Sequence, residues 1–452
     1  MKNTTFKLAA VAVAAASALA GQAYAAGFML TEQSVAGLGR SYAGIGVDGT
    51  DISGVYYNPA TMTLHKGTIL QAGFIGIGLN LDYAGTGNDN TTENGREKSQ
   101  AIPHGYLLHQ INDSTWFGLA MTVPFGMGTE FGDDWSQADH GISAQILTFD
   151  FNPNVAWKAS EKLSFGAGVS VQYASADLTK KTYLADTAAG KALGGSAVFG
   201  SSSVRSEIDA DSIAWGWNVG MMWSPLENLR FGLSYRSKIK HDADGDLTID
   251  EANLAEDSNL DKLPPQLGGP ITTSSELATM LGQLGAYGQL PGAAVVSAPA
   301  WAMATVAWDV NNLLSLYGTF RWTDWSSFDK LDIKSNGATM TTIQNNWRDT
   351  YLTSLGADLR VTDRWTLRGG VAYETSPIAT KEYRTAIIPD ADRWWFSVGS
   401  SYKISENMIA DVGFAHLHGV HERSLYDSKG AEVGKFRKLD AYLLGAQLQY
   451  KF

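Results

Sequence analysis

Residues 154–173 read NVAWKASEKLSFGAGVSVQY: an alternating segment, a polar turn from Ala159 to Lys162, and a second alternating segment. After the turn, Phe165, Ala167, Val169, Val171 and Tyr173 fall on one side. Ser164, Gly166, Gly168, Ser170 and Gln172 fall on the other, with the period of two that a strand imposes. The unit recurs at five further turns: Ile111 to Thr115, Ser224 to Asn228, Val310 to Leu313, Val361 to Arg364 and Ile404 to Asn407. Around them lie seven longer polar stretches, residues 82–100, 125–143, 175–208, 238–298, 324–348, 375–393 and 417–439. Six short turns alternating with seven long loops require fourteen strands. Short turns at one end and long loops at the other predict an all-β, 14-stranded antiparallel transmembrane barrel, which closes so that no backbone edge meets lipid.

The same split repeats along the chain. Leu229, Phe231, Leu233 and Tyr235 oppose Arg230, Gly232, Ser234 and Arg236, and in the last strand Tyr442, Leu444, Ala446, Leu448, Tyr450 and Phe452 oppose Leu443, Gly445, Gln447, Gln449 and Lys451. Periodicity alone does not say which face is outside. Aromatic placement does: Trp157, Trp223, Trp308, Trp365 and Tyr402 all stand within a few residues of the short turns, where an interfacial girdle belongs. The apolar face therefore meets lipid. The wet face carries Arg230, Arg236, Arg321, Arg368, Asp358 and Asp411, which suit an ion-pair network inside the barrel.

The first residues carry Lys2 and Lys7, then a small or apolar run from Leu8 to Ala20, then Ala23-Tyr24-Ala25. That order predicts a signal peptide over residues 1–25, with the mature chain beginning at Ala26. No later segment is apolar and long enough for a membrane helix. The absence of cysteine excludes a disulfide scaffold and thiolate metal sites, and a net charge of −12 without a basic cluster argues against nucleic acid.

Residues 26–67 break the pattern. They are glycine-rich, alternate poorly and contain Asn58-Pro59-Ala60, yet Phe28, Leu30, Leu38, Tyr42, Val55 and Met62 make the segment too apolar for a free tail. It is expected to fold back into the lumen as a plug, leaving residues 68–452 as the barrel.

Several stretches carry a family likeness: AGFMLTEQSVAGLGRSYAG at 26–44, NPA at 58–60, TEF at 129–131, WSSF at 325–328, WRDTY at 347–351, DRWTLRGGVAYETSPI at 363–378, IPDADRWWFSVG at 388–399 and DVGFAHLHG at 411–419. On these the chain resembles the FadL/TodX family of outer-membrane transporters, over its whole mature length. The resemblance implies a monomeric barrel blocked by a hatch, and passive uptake of long-chain fatty acids or of neutral hydrophobics such as aromatic hydrocarbons. In the family the ligand lands between long loops, enters the barrel and leaves sideways at a kinked third strand. Phe28, Asn58, Pro59 and Ala60 would then belong to the hatch and its gating.

Ile271 to Val296, with Leu277, Met280, Leu281, Leu284, Tyr287 and Leu290, has the spacing of an amphipathic helix and is the expected landing site; Leu184 to Phe199 is a second candidate. The third strand ends in Val123-Pro124-Phe125-Gly126. Pro124 and Gly126 both weaken a ladder, so the lateral break is expected there, with Gly118 another possible kink. A carboxylate ligand calls for a cation. Arg348 is first choice, then Lys180 and Lys181, then Arg384 and Arg393, with loop ion pairing the competing role for the last two.

His416 and His418 place two imidazoles on one face of a strand, near His421, Glu422 and Asp427. With no third ligand at a fixed spacing and no GxSxG turn, the sequence points to no catalysis, no metal and no cofactor. An adhesin or structural barrel is the remaining alternative.

Overall fold

The computed structural model describes residues 27–86, 92–93, 100–132, 135, 137–139, 141–187, 190–191, 194–262, 270–283, 285–335, 338–384, 388–421, 423–426 and 430–452. The expected signal peptide, Ala26 and Leu284 lie outside them.

Fourteen strands form the wall: β1 (Thr68–Gly85), β2 (Gln100–Asn112), β3 (Thr115–Thr122, resuming at Gly126–Glu130), β4 (Ser143–Ser160), β5 (Leu163–Tyr183), β6 (Ser203–Leu226) and β7 (Leu229–Arg236, then Ile239–Asn253). They continue with β8 (Gly288–Ala298, then Trp301–Asp309), β9 (Leu314–Thr323), β10 (Thr350–Arg360), β11 (Trp365–Glu374), β12 (Arg393–Ser405), β13 (Met408–Gly419) and β14 (Glu432–Lys451). Neighbours pair antiparallel, and β1 pairs with β14 from Ile69 opposite Lys451 to Gly85 opposite Gly434, so the sheet closes on itself. Lipid-side residues are exposed as the alternation predicts, Leu444, Leu233, Val169 and Phe320 among them, and Trp157, Trp223, Trp308 and Trp365 stand exposed beside the short turns. All six short turns lie where the sequence places them.

Two expectations about the loops need correction. Residues 175–183, 203–208, 239–253 and 288–298 are strand, because the wall continues past the membrane: Asp177 pairs with Asp209, and Thr248 pairs with both Glu207 and Gln289. The helix expected over Ile271 to Val296 spans only Ser274–Gln283; Leu290 and the stretch through Val296 belong to β8, where Pro291 and the β-branched pair Val295-Val296 favour extended backbone. The second candidate, Leu184 to Phe199, holds short helical turns at Leu184–Asp186 and Ser196–Phe199 among the described residues.

Proline in a wall strand costs a ladder donor, and β4 contains Pro153. The β4–β5 register skips from Phe151 to Asn154, and there Asn152 Nδ2 donates to the Val169 carbonyl at 3.0 Å. A side chain thus replaces the missing backbone donor.

The lumen is filled, not open. Residues 27–67 occupy it almost wholly buried, with helical turns at Val35–Leu38 and Gly54–Tyr57 and a 3₁₀ turn at Pro59–Leu64. Glycines on the inner wall let the hatch backbone lie directly on it: a Cβ on Gly370 would collide with the Arg40 carbonyl oxygen. Arg40 is fully buried, pairs with Asp48 and with Asp358 at 3.1 Å, and lies over the Tyr317 ring at 4.2 Å. The wall arginines are all paired: Arg368 with Asp358 and Asp411, Arg321 with Glu374, Arg236 with Asp150 and Arg230 with Asp309. The expected lumen network exists and the hatch is part of it.

Candidate functional site

β3 is broken at Val123, Pro124 and Phe125. Below the break β3 pairs with β2, Gly105 opposite Met121; above it, residues 100–104 of β2 pair only with β1 among the described residues. Gly126–Glu130 retains β4 alone, Gly126 opposite Leu147. The wall therefore has a gap between β2 and the upper part of β3.

Hatch residues 28–33 fill it. Leu30 N–H donates to the Pro124 carbonyl at 2.8 Å and Gly126 N–H donates to the Phe28 carbonyl at 2.9 Å, so Met29 and Phe125 form an isolated antiparallel bridge. Both polar groups of Val123 go to one side chain: Gln33 Nε2 donates to its carbonyl at 2.6 Å, and its N–H donates to Gln33 Oε1 at 3.2 Å. Thr148 Oγ1 accepts from Phe125 N–H at 2.9 Å. Every backbone donor released by the break, apart from the N–H that proline lacks, thus has a partner, and most partners belong to the hatch. Gln33 is itself held, its carbonyl by Tyr106 and its N–H by Tyr57.

The hatch tip sits in an aromatic box. Phe28 lies 4.7 Å from Trp325, 5.3 Å from Phe328 and 6.0 Å from Phe125 between ring centroids, and Trp347 closes the group. Gly27 adopts φ +66°, and a Cβ there would meet Trp347 at 2.6 Å and Trp325 at 2.7 Å, so both conformation and space require glycine. Its N–H donates to Asp390 at 2.8 Å. Behind the tip, Arg321 joins Thr31 to Glu374, and Arg393 joins Glu374 to Asp390. Glu32 lies among these groups fully buried, with neither carboxyl oxygen hydrogen-bonded among the described residues. Burial pushes its carboxyl up to about 8, against the pull of its own backbone N–H; the Glu374 carboxylate adds to the rise while Arg393 and Arg321 oppose it.

Above the box lies a small apolar cavity that opens to solvent. It is lined by Ile146 of β4, Ala176 and Leu178 of β5, Ile208 and Ala210 of β6, Ala294 and Val296 of β8, and Phe328, Leu331, Asn345 and Ile388. Phe328 is shared with the box around Phe28, so cavity and hatch tip are one residue apart.

The sequence-predicted residues are dispersed around this assembly. Lys180 is half-buried, follows Ala176 and Leu178 on the same face of β5, and has no ion-pair partner among the described residues. Lys181 points to the opposite face, near the Tyr183 ring at 5.9 Å. Arg348 is 52 % exposed, off the cavity, engaged by the Ser376 carbonyl and by Asp392 at 3.7 Å. Arg384 is buried and donates to the Ser424 carbonyl, and Arg393 is buried between Glu374 and Asp390. Leu277 and Leu281 face inward into an apolar cluster with Phe199, Leu260 and Ile271 instead of presenting a landing surface.

Asn58, Pro59 and Ala60 lie far from the break, against β5 and β6: Asn58 Nδ2 donates to the Gly46 and Met221 carbonyls, and a Cβ on Gly166 would meet Pro59. Gly118 is paired on both sides, with Leu108 and Asn154, and its missing side chain makes room for Met62 and Val55; the break lies at Val123, not there. Sequence reasoning missed Gln33 and Glu32. Their one signal was polarity inside an otherwise apolar stretch, TEQ at 31–33.

The family described as "Outer membrane protein transport protein (OMPP1/FadL/TodX)" matches residues 16–452. The chain is 30% identical over 470 residues to a long-chain fatty acid transport protein of Escherichia coli O6:H1, covering 100% of both chains. It is 28% identical to a 47 kDa outer membrane protein of Pasteurella multocida, covering 97% of each. Its fold is similar to a crystal structure of a Pseudomonas aeruginosa FadL homologue, with TM-score 0.81 and 24% identity over 94% of this chain and 100% of that one. It is also similar to the P. putida toluene transporter TodX, with TM-score 0.70 and 16% identity over 92% of this chain and 98% of that one.

Proposed function

Because the chain belongs to the outer-membrane transport protein family (OMPP1/FadL/TodX), we propose that it is a monomeric channel for long-chain fatty acids that releases its ligand sideways through the wall between β2 and β3. The observation that carries this reading is the gap beside Val123 to Gly126, closed by hatch residues 28–33 among the described residues. A hatch tied to the wall by a buried ion pair favours a lateral exit: moving its body would pull Arg40 away from Asp358 of the wall. Freeing residues 28–33 breaks mainly neutral hydrogen bonds, each worth about 1 kcal/mol. The tip is the soft part of the hatch.

The apolar cavity is the ligand's seat. Its lining is almost wholly carbon, which suits an acyl chain. Lys180, next in the row after Leu178, supplies the head-group cation; it needs no other ion pair broken first, unlike Arg393. A chain seated against Phe328 pushes on the ring that packs against Phe28, which gives binding a route to the hatch tip. That the relatives 28–30% identical include proteins named for long-chain fatty acid transport supports this class over aromatic hydrocarbons.

The test is a reversible lock. Met29 and Phe125 are flanked, not joined, by their two hydrogen bonds, the close type of antiparallel pair that a disulfide can span. In cells lacking another fatty acid transporter, Met29→Cys with Phe125→Cys should block oleate uptake when oxidised and restore it when reduced. Uptake unaffected by the closed bond would sink the lateral route.

A further inference from the structure

The wall carries a second cluster, on its outer face, that transport does not use. His416 and His418 share the outward side of β13, and the barrel brings Asp440 of β14 directly opposite His418. This is the third ligand that no sequence spacing revealed. We propose that His416, His418 and Asp440 form a binding site for a divalent transition metal such as Zn²⁺, at the outer interface of the barrel.

The geometry is close to what such an ion requires. The ligand atoms of the three side chains lie within 4.8 Å of one another. Ligands about 2.0–2.1 Å from a shared ion in tetrahedral array stand roughly 3.4 Å apart, so side-chain rotations of about an ångström complete the set. His418 Nδ1 is already 2.8 Å from Asp440 Oδ1, which orients the imidazole; an ion entering there replaces the shared proton. His416 Nε2 is shielded from solvent and has no hydrogen-bond partner among the described residues. Its ring stacks on Tyr442 at 4.7 Å and 8° between planes, which fixes the imidazole without using either nitrogen.

Two imidazoles and one carboxylate suit a borderline metal, whereas Mg²⁺ and Ca²⁺ prefer all-oxygen sets. Three protein ligands leave a coordination position open. Trp394, Phe396 and Tyr442 are exposed on the same face, as an interfacial girdle is, so the open position looks toward the level of the lipid head groups. An oxygen from water or a head group completes the sphere. Asn80 of β1, paired with Asp440 on its other side, stands on this face too.

The test measures Zn²⁺ binding by calorimetry to full-length protein in detergent, with any histidine tag removed and millimolar Mg²⁺ present. One ion per barrel is expected, with affinity lowered tenfold or more in His418→Gln and in Asp440→Asn. His421→Gln should bind as the parent does: His421 pairs with Asp392 away from the cluster. Retained oleate binding in each variant shows that the barrel is folded. Absence of saturable Zn²⁺ binding, unchanged affinity in both cluster variants, or loss in His421→Gln alone would overturn the assignment.

Discussion

Gln33→Ala is the substitution whose effect the structure fixes best. It removes the donor to the Val123 carbonyl at 2.6 Å and the acceptor for the Val123 N–H at 3.2 Å, with a weaker contact to the Leu30 carbonyl at 3.4 Å. Val123 sits in the strand break, so neither group can fall back on a neighbouring strand. Each buried backbone group left unpaired costs about 1–3 kcal/mol. Taking the lower half of that range for both, the closed tip loses about 2–4 kcal/mol. At 1.4 kcal/mol per decade, the open population rises roughly 30- to 700-fold. The chain has no cysteine, so a single one at Met29, which is 3% exposed, reports opening without background. Labelling by an impermeant maleimide tracks the open fraction when opening and closing are fast. Met29→Cys with Gln33→Ala should label at least tenfold faster than Met29→Cys alone. Rates within a factor of two would refute the idea that Gln33 holds the tip against β3.

Other expectations follow from the same structure. Lys180→Met should weaken oleate binding ten- to a hundredfold, since a charge-assisted hydrogen bond contributes about 1.5–3 kcal/mol, and leave toluene binding unchanged; calorimetry with both ligands decides it. Arg348→Ala should change oleate binding less than threefold, because this side chain is exposed and engaged by Asp392. Arg40→Ala leaves buried Asp48 without its ion-pair partner, while Asp358 keeps Arg368, and should loosen the hatch by about 3 kcal/mol or more, seen as raised permeability to hydrophilic solutes in liposome swelling. Glu32 supplies a pH dependence. Its carboxyl, ordinary value 4.5, is raised by burial to about 8 in the docked hatch, so docking binds a proton and is favoured at low pH. That contribution is full below 4.5, falls as pH rises and is gone above about 8. Planar-bilayer openings should be more frequent at pH 8.5 than at pH 5, and the difference should shrink in Glu32→Gln to what Asp390, raised by burial to about 6, supplies.

The barrel was legible because its code is local. Alternation assigns faces strand by strand, and the girdle tryptophans settle which face is out; neither needs knowledge of distant residues. The strand break at Pro124 and Gly126 was equally readable, for proline and glycine act on their own ladder positions. The reading went astray where long-range pairing overrode local pattern. Residues 288–296 kept helical spacing on paper yet joined β8, because a neighbouring strand offered its edge. Gly118 looked like a kink, but only the folded hatch shows that Met62 and Val55 need its space.

By itself, then, the sequence determined the number of strands, the closure and the lipid-facing side, and marked residues 26–67 as foreign to the wall. Tertiary structure decided what meets what. Gly27 finds Asp390 across 363 residues, Gln33 finds Val123 across 90, and Asp440 completes the pair of histidines across 22. Such partners are chosen by the closure of the barrel and the path of the hatch inside it. A period-two pattern fixes which side of the wall a residue faces, and says nothing about which residue waits there.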